Sequence, residues 1–228
     1  MSQYPLHLER AREYYGEGNY EGARAAAEYA LGHAEEGEGV EAQVIMALSY
    51  RRLEMNDEAL SLLKDIVNTH PTPEACAEYA LLCAERGHCD VTCREFADRA
   101  RNEDPDLPNS YLALFWCDGM DGAFLDAVRN LRKGILRGGE FSASHAFEMI
   151  RGWCQELCDQ GQASSALNVS AEVVDLFNSF DFIILHAKLA EICESNRVAV
   201  KYYKKALLYL RPGTMRNDVL EAIARIAM

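Results

Sequence analysis

Residues 40–71, VEAQVIMALSYRRLEMNDEALSLLKDIVNTHP, set the pattern on which the remainder of the chain is built. Two apolar-periodic runs of helical length flank a short polar turn, Glu54-Met55-Asn56-Asp57. In the first run Val44, Ala47, Leu48, Tyr50 and Leu53 return at helical spacing; in the second, Ala59, Leu62, Leu63, Ile66 and Val67 do the same. Asn56 or Asp57 supplies an N-cap for the second run, and Pro71 stops it. Ala47 and Ala59 are small where the helices of a hairpin must approach closely, while Tyr50, Leu63 and Ile66 fill the space around them. A helix–turn–helix unit of about 34 residues is predicted.

The unit recurs along the chain. In the opening stretch Ala11 and Ala23 take the small positions, Gly18-Asn19-Tyr20 the turn, and the second helix ends in turn-rich Glu35–Gly39. From Pro73 to Pro105, Ala80 and Cys93 are the small residues, and the turn Gly87-His88-Cys89-Asp90 is one residue longer. Pro71, Pro73 and Pro105 stand at the junctions, where helices must end. Residues 108–137 fit through Phe115, Gly122, Phe124, Ala127, Leu131 and Ile135, and residues 144–177 through Cys154, Leu157, Gly161, Ala166 and Val173. A last unit, 180–211, carries Ala199, Tyr203, Ala206 and Leu207. The small residue of each second helix falls at 23, 59, 93, 127, 166 and 199, so the gaps are 36, 34, 34, 39 and 33. The widest gap contains Gly138-Gly139-Glu140-Phe141, where a longer connection or a change of superhelical angle is expected. Residues 214–228 read as a terminal helix covering the last unit's open face.

These units resemble tetratricopeptide (TPR) repeats, although none carries intact the aromatic–Leu–Gly signature of the first helix. The resemblance covers nearly the whole chain. It implies an all-α fold, a right-handed α-α superhelix of about six TPR-like hairpins plus a C-terminal capping helix. Residues 1–228 are expected to form one solenoid, subdivided into acidic regular repeats (1–106) and degenerate repeats with the cap (107–228). In TPR-like arrays the first helices line a concave groove that receives an extended peptide or a helix. Carried over residue by residue, the exposed groove positions are Leu8, Arg12, Val44, Leu48, Arg51, Ala77, Leu81, Leu112, Trp116, Arg151 and Gln155. The Lys/Asn carboxylate clamp of chaperone-binding TPRs is missing from the matching positions. An apolar groove with Trp116 as anchor is expected; the alternative is that Leu48, Leu81 and Trp116 are buried between neighbouring first helices.

Composition supports a protein-binding role over others. The chain has 228 residues, 49% of them hydrophobic, with 6 Pro and 15 Gly, which leaves little room for disordered linkers. No apolar run reaches the roughly 18–20 residues of a membrane span, and the first residues show no secretory pattern, so a cytoplasmic location is expected. The net charge of −13 opposes nucleic acid and anionic membranes as partners. Residues 1–106 hold 22 acids against 10 Lys and Arg; residues 107–228 hold 14 against 13. The acidic half either attracts a basic partner or consists of solvated helix faces. A protein or peptide partner, basic or amphipathic, is expected, and self-association is compatible with the sequence.

No chemistry-bearing motif assembles. Cys83, His88, Cys89 and Cys93, with Cys76 upstream, are dense enough to raise a zinc site. No C-x-x-C pair exists, however, and Cys76, Cys83, Cys93 and Cys154 fall on packing positions, where cysteine acts as a small hydrophobe. Reduced, metal-free cysteines and no cofactor are expected. The string GGEF at 138–141 matches the diguanylate cyclase signature but lies between helical units without flanking strands. The basic row Arg129, Arg132, Lys133 and Arg137 lacks interleaved aromatics for nucleic acid. With no nucleophile, base and anion hole in one pattern, the chain reads as a non-enzymatic scaffold or adaptor. The alternative is a dedicated chaperone for a hydrophobic secretion or assembly substrate; an RNA-binding repeat ranks third because it needs a basic groove.

Overall fold

A computed structural model describes residues 3–35 and 38–227, and all regular elements among them are helical. Glu36 and Gly37, within the expected turn-rich segment, lie outside the described residues, as do Met1, Ser2 and Met228. The first pair is α1 (Tyr4–Gly16) and α2 (Tyr20–Leu31), the second α3 (Val40–Arg52) and α4 (Asn56–Thr69). The third is α5 (Pro73–Glu85) and α6 (Val91–Glu103), the fourth α7 (Pro108–Met120) and α8 (Phe124–Leu136). The fifth is α9 (Ala143–Asp159) and α10 (Ala163–Val173), and the sixth α11 (Phe180–Ile192) and α12 (Asn196–Ala206). A short 3-10 turn, Leu207–Tyr209, leads to α13 (Thr214–Ala227). The chain is an all-α helical repeat.

Close approach of small residues holds the pairs together. Ala23, Ala59, Ala166 and Ala199 are wholly buried, and Cys93 is nearly so. Their first-helix counterparts Ala11, Ala47, Ala80 and Ala187 are buried as completely. Around the second pair Leu63 and Ile66 are removed from water, each worth about 1.5–3 kcal/mol relative to exposure. In α7, Phe115 stands at the register where Ala11, Ala47 and Ala80 stand in α1, α3 and α5.

The turns inside the pairs share one backbone solution. The first helices end on a residue with positive φ, at Gly18, Glu54, Gly87, Gly122, Gly161 and Glu194. In five of these turns the very next amide closes back on the helix: Asn19 to the Tyr14 carbonyl (2.9 Å), Met55 to Tyr50 (2.9 Å), His88 to Cys83 (2.9 Å), Gln162 to Leu157 (2.7 Å) and Ser195 to Ala190 (2.8 Å). These are Schellman closures, which satisfy carbonyls at the helix end. The N-cap of α4 is Met55, whose side chain makes no capping bond, and not Asn56 or Asp57 as expected, because the helix already begins at Asn56. Elsewhere side chains do cap: the Asn19 side chain accepts from Gly22 N (3.0 Å), Thr72 Oγ1 from Ala75 N (3.2 Å) and Asp90 Oδ1 from Cys93 N (2.8 Å).

Two compact units make up the chain, residues 1–120 and 121–228, with the boundary in the turn between α7 and α8. Within the first, each helix packs on the next from α1 to α7, and the first helices also touch one another, α1 on α3, α3 on α5 and α5 on α7. Within the second, α10 packs against α8, α9 and α11, α11 meets α9 and α12, and α13 covers α12. Val219 and Ala222 of α13 join a buried cluster with Ile183, Ala187, Tyr203 and Ala206, as expected of a capping helix. The extra residues of the wide gap extend α9, which has 17 residues where most first helices have 13. The GGEF string occupies the connection between α8 and α9, with Phe141 against His145 at 5.8 Å between ring centres.

Candidate partner-binding face

In residues 1–120 the first helices α1, α3, α5 and α7 adjoin one another and form one face. The positions expected to be exposed on it divide sharply. Arg12 is exposed, and Leu48, Arg51 and Trp116 are half-buried. Leu8, Val44, Ala77, Leu81 and Leu112 are buried, the last two to 2% and 1%. An apolar groove built on these five residues is therefore corrected. Leu8 packs in one cluster with Ala42 and Ile45 of α3, and Val44 in one with Ala77. Side chains at this spacing meet the neighbouring first helix instead of solvent. Leu48 packs at the margin of the same cluster, and Trp116 meets Phe115 edge-on at 5.8 Å between ring centres. Arg151 and Gln155 are exposed on α9, in the second unit, and are bonded along their own helix to Glu148 (2.5 Å) and Asp159 (2.8 Å).

What the face of residues 1–120 presents is a polar ladder across its helices. Arg12 Nε donates to Glu41 Oε1 at 2.7 Å, joining α1 to α3. Arg51 pairs with Glu78 and, at 3.1 Å, with Glu85, joining α3 to α5. Asn109 donates to the other Glu78 oxygen, joining α5 to α7. Arg12 and Arg51 are among the positions expected in the groove; Glu41, Glu78, Glu85 and Asn109 are not. The available signal was spacing: Glu41 follows Arg12 by 29 residues, close to one repeat, so the two lie on adjacent first helices. The exposed Arg12–Glu41 pair contributes little stability, about 0–1 kcal/mol, whereas Arg51 and Glu78 are partly buried.

Clefts also lie elsewhere, and two of them carry titratable groups of interest. One, of about 350 Å³ in the second unit, has Phe180 and Ile184 of α11 and Val219 and Ala222 of α13 on its walls, with Lys188 and Arg225 among its charged groups. Beside it Tyr203 donates to Glu191 Oε2 (2.8 Å), and Arg225 Nε binds Oε1 (3.1 Å). Burial works against the Glu191 carboxylate, but the bonds from Tyr203 and Arg225 hold its pKa below the ordinary range. The other cleft, of about 270 Å³, is lined by Leu60, Lys64, Tyr79, Cys83, His88 and Asp90, among others. Burial raises the thiols of Cys83, of Cys76 (to about 11) and of Cys154 (to about 12), so these groups stay protonated and unreactive at neutral pH. Among the described residues no group of three or more His, Cys, Asp or Glu is placed to hold a metal ion.

No protein-family model and no curated protein matches the sequence. The fold does find counterparts. PilW, a widely conserved type IV pilus biogenesis factor, superposes with a TM-score of 0.58 at 19% identity, covering 96% of this chain and 99% of PilW. PilF of Pseudomonas aeruginosa gives 0.58 at 14% identity, covering 96% of each. The C-terminal part of a TPR repeat-containing protein from Cytophaga hutchinsonii gives 0.57 at 16%, covering 88% of this chain and 78% of that one. With helix pairs, small-residue contacts and these counterparts together, the fold is that of the TPR-like helical repeats.

Proposed function

We propose that the chain is a non-enzymatic interaction scaffold that binds a basic or amphipathic protein segment on the first-helix face of residues 1–120. The observation that carries this reading is the ladder Arg12–Glu41, Arg51–Glu78–Asn109 and Arg51–Glu85, which sets charged groups on three successive first helices and the Asn109 amide on the fourth. Pairs along it can trade one partner for a group on an incoming segment. Acids outnumber bases in the same residues, which favours a basic segment. The similarity to PilW, described as a biogenesis factor, is consistent with an assembly role. A cytoplasmic location belongs to this reading and accords with cysteines used as packing residues; none of the helices searched, those of the described residues, is long and apolar enough to cross a membrane.

A second reading, a chaperone for a hydrophobic client, draws on the partly apolar cleft between α11 and α13. One experiment separates the two. Proteins captured from native lysate by the wild type are compared quantitatively with those captured by Arg12→Glu/Arg51→Glu and by Ile184→Glu, with melting temperature recorded for each. The scaffold reading expects a specific protein to be lost about tenfold from the arginine variant at unchanged melting temperature. Its loss from Ile184→Glu alone would support the client cleft instead, and equal capture by all three would remove both sites.

A further inference from the structure

Two contacts lie in matching register between α6 and α7. Arg94 Nη1 reaches Asp118 Oδ1 at 2.7 Å, and one residue earlier on each helix Cys93 Sγ lies 3.7 Å from Cys117 Sγ. Both thiols are 1% exposed, and Cys93 Sγ is also 3.2 Å from the Ala80 carbonyl oxygen, to which it donates. Cys93 occupies the small-residue position of its pair, where Ala23 and Ala59 suffice in the first two. Packing therefore explains a small side chain at 93 but not a second sulfur placed against it. A disulfide brings its sulfurs to about 2.05 Å, so closure asks each atom to move by roughly 1 Å or less.

We infer that Cys93 and Cys117 are a disulfide-forming site, a buried dithiol that a small-molecule disulfide oxidises to a covalent link between α6 and α7. This goes beyond the scaffold role and does not depend on it. The chemistry is thiol–disulfide exchange with a reagent such as glutathione disulfide. One cysteine, as thiolate, attacks a glutathione sulfur; a protein–glutathione S–S bond forms and one glutathione leaves as thiolate. The other cysteine loses its proton to solvent and attacks the protein sulfur of that bond, and the second glutathione leaves. The two cysteines give up two electrons, which glutathione disulfide takes up. Cys117 lies in the last turn of α7, where a helix opens most readily, and that opening admits the reagent. The hydrogen bond with Cys117 and burial both hold Cys93 in its protonated form, so the closed helices resist oxidation and the rate follows opening.

The closed bond spans 24 residues and ties the third pair to the helix that follows it. The test equilibrates the full-length chain with glutathione disulfide and glutathione, alkylates remaining thiols, and maps unreduced peptides by mass spectrometry. Cross-linked peptides joining Cys93 to Cys117 are expected, with a melting temperature about 5–10 °C above that of the reduced chain. Cys93→Ala places in that slot a residue the other pairs already use, so it should fold, and it should show neither the cross-link nor the rise; Cys117→Ala should do the same. Glutathione confined to Cys89, Cys158 or Cys193, or a cross-link joining other cysteines, would overturn the assignment. A Cys93–Cys117 link without a rise would overturn the lock between the helices.

Discussion

At the scale of single residues, the repeating turn makes the sharpest demand on side-chain identity. Gly87 has φ +79°, where a Cβ is strained although nothing lies within 4 Å of it. Gly87→Ala is therefore expected to destabilise by about 1–2 kcal/mol through backbone strain alone. At the equivalent turn Glu54 holds φ 61° with a full side chain, so Glu54→Gly should change stability by less than about 1 kcal/mol. Urea unfolding of both variants checks the contrast, and equal effects would refute the shared-turn account. Four of the six turn residues are glycines and stand out in the sequence, whereas Glu54 and Glu194 resemble ordinary helix-end glutamates. Exposure was harder to read than turns. Leu8 and Val44 carry the right helical spacing for an outward face, but they are buried in clusters with residues of the next first helix. The polar ladder escaped notice for the same reason: its ion pairs are formed between helices, not within them.

At the scale of elements, α10, α11 and α12 meet around a buried imidazole. His186 Nδ1 is 2.8 Å from Ser170 Oγ, and its ring lies edge-on to Tyr202 at 4.4 Å between centres. The Ser170 hydroxyl is bonded to the Leu167 carbonyl (2.9 Å) and donates there, so the imidazole donates from Nδ1. Burial pushes the His186 pKa below 6.5, while Asp175 opposes that shift and Lys201 adds to it. The unfolded chain therefore takes up a proton more readily than the folded one. Stability is full above about pH 6.5 and falls as pH drops below that value towards the lower folded pKa. Melting temperature measured from pH 7.5 to 5 should decline, and His186→Gln should remove the histidine part of the slope. An identical slope in the variant would refute the assignment. Asp175 and Glu191, whose folded pKa values are lowered, add a separate loss at more acid pH, as they protonate. The helices themselves were legible from small-residue spacing, since close helix contact tolerates little besides alanine, glycine or cysteine. The serine–histidine contact was not, because polar residues buried between helices carry no periodic mark.

At the scale of the whole chain, charge follows the units. Residues 1–120 contain 23 acids and 10 Lys and Arg, whereas residues 121–228 contain 13 of each. The entire net charge of −13 therefore belongs to the unit that carries the ladder. If that unit receives a basic segment, association should slow by about tenfold or more between 50 and 500 mM salt, with dissociation changing less. Stopped-flow or surface binding kinetics with the captured partner would measure this, and salt-independent association would contradict a charge-guided encounter.

The neighbour-to-neighbour packing of the helices also bears on synthesis. In residues 1–120 every helix finds its contacts in the one or two helices that precede or follow it in the chain. Contacts so close in sequence favour fast folding. A helix pair leaving the ribosome already has its small-residue partner in hand before the next pair is translated. The chain is therefore suited to build itself from its N-terminal end at the pace of elongation, each finished pair serving as the surface on which its successor docks.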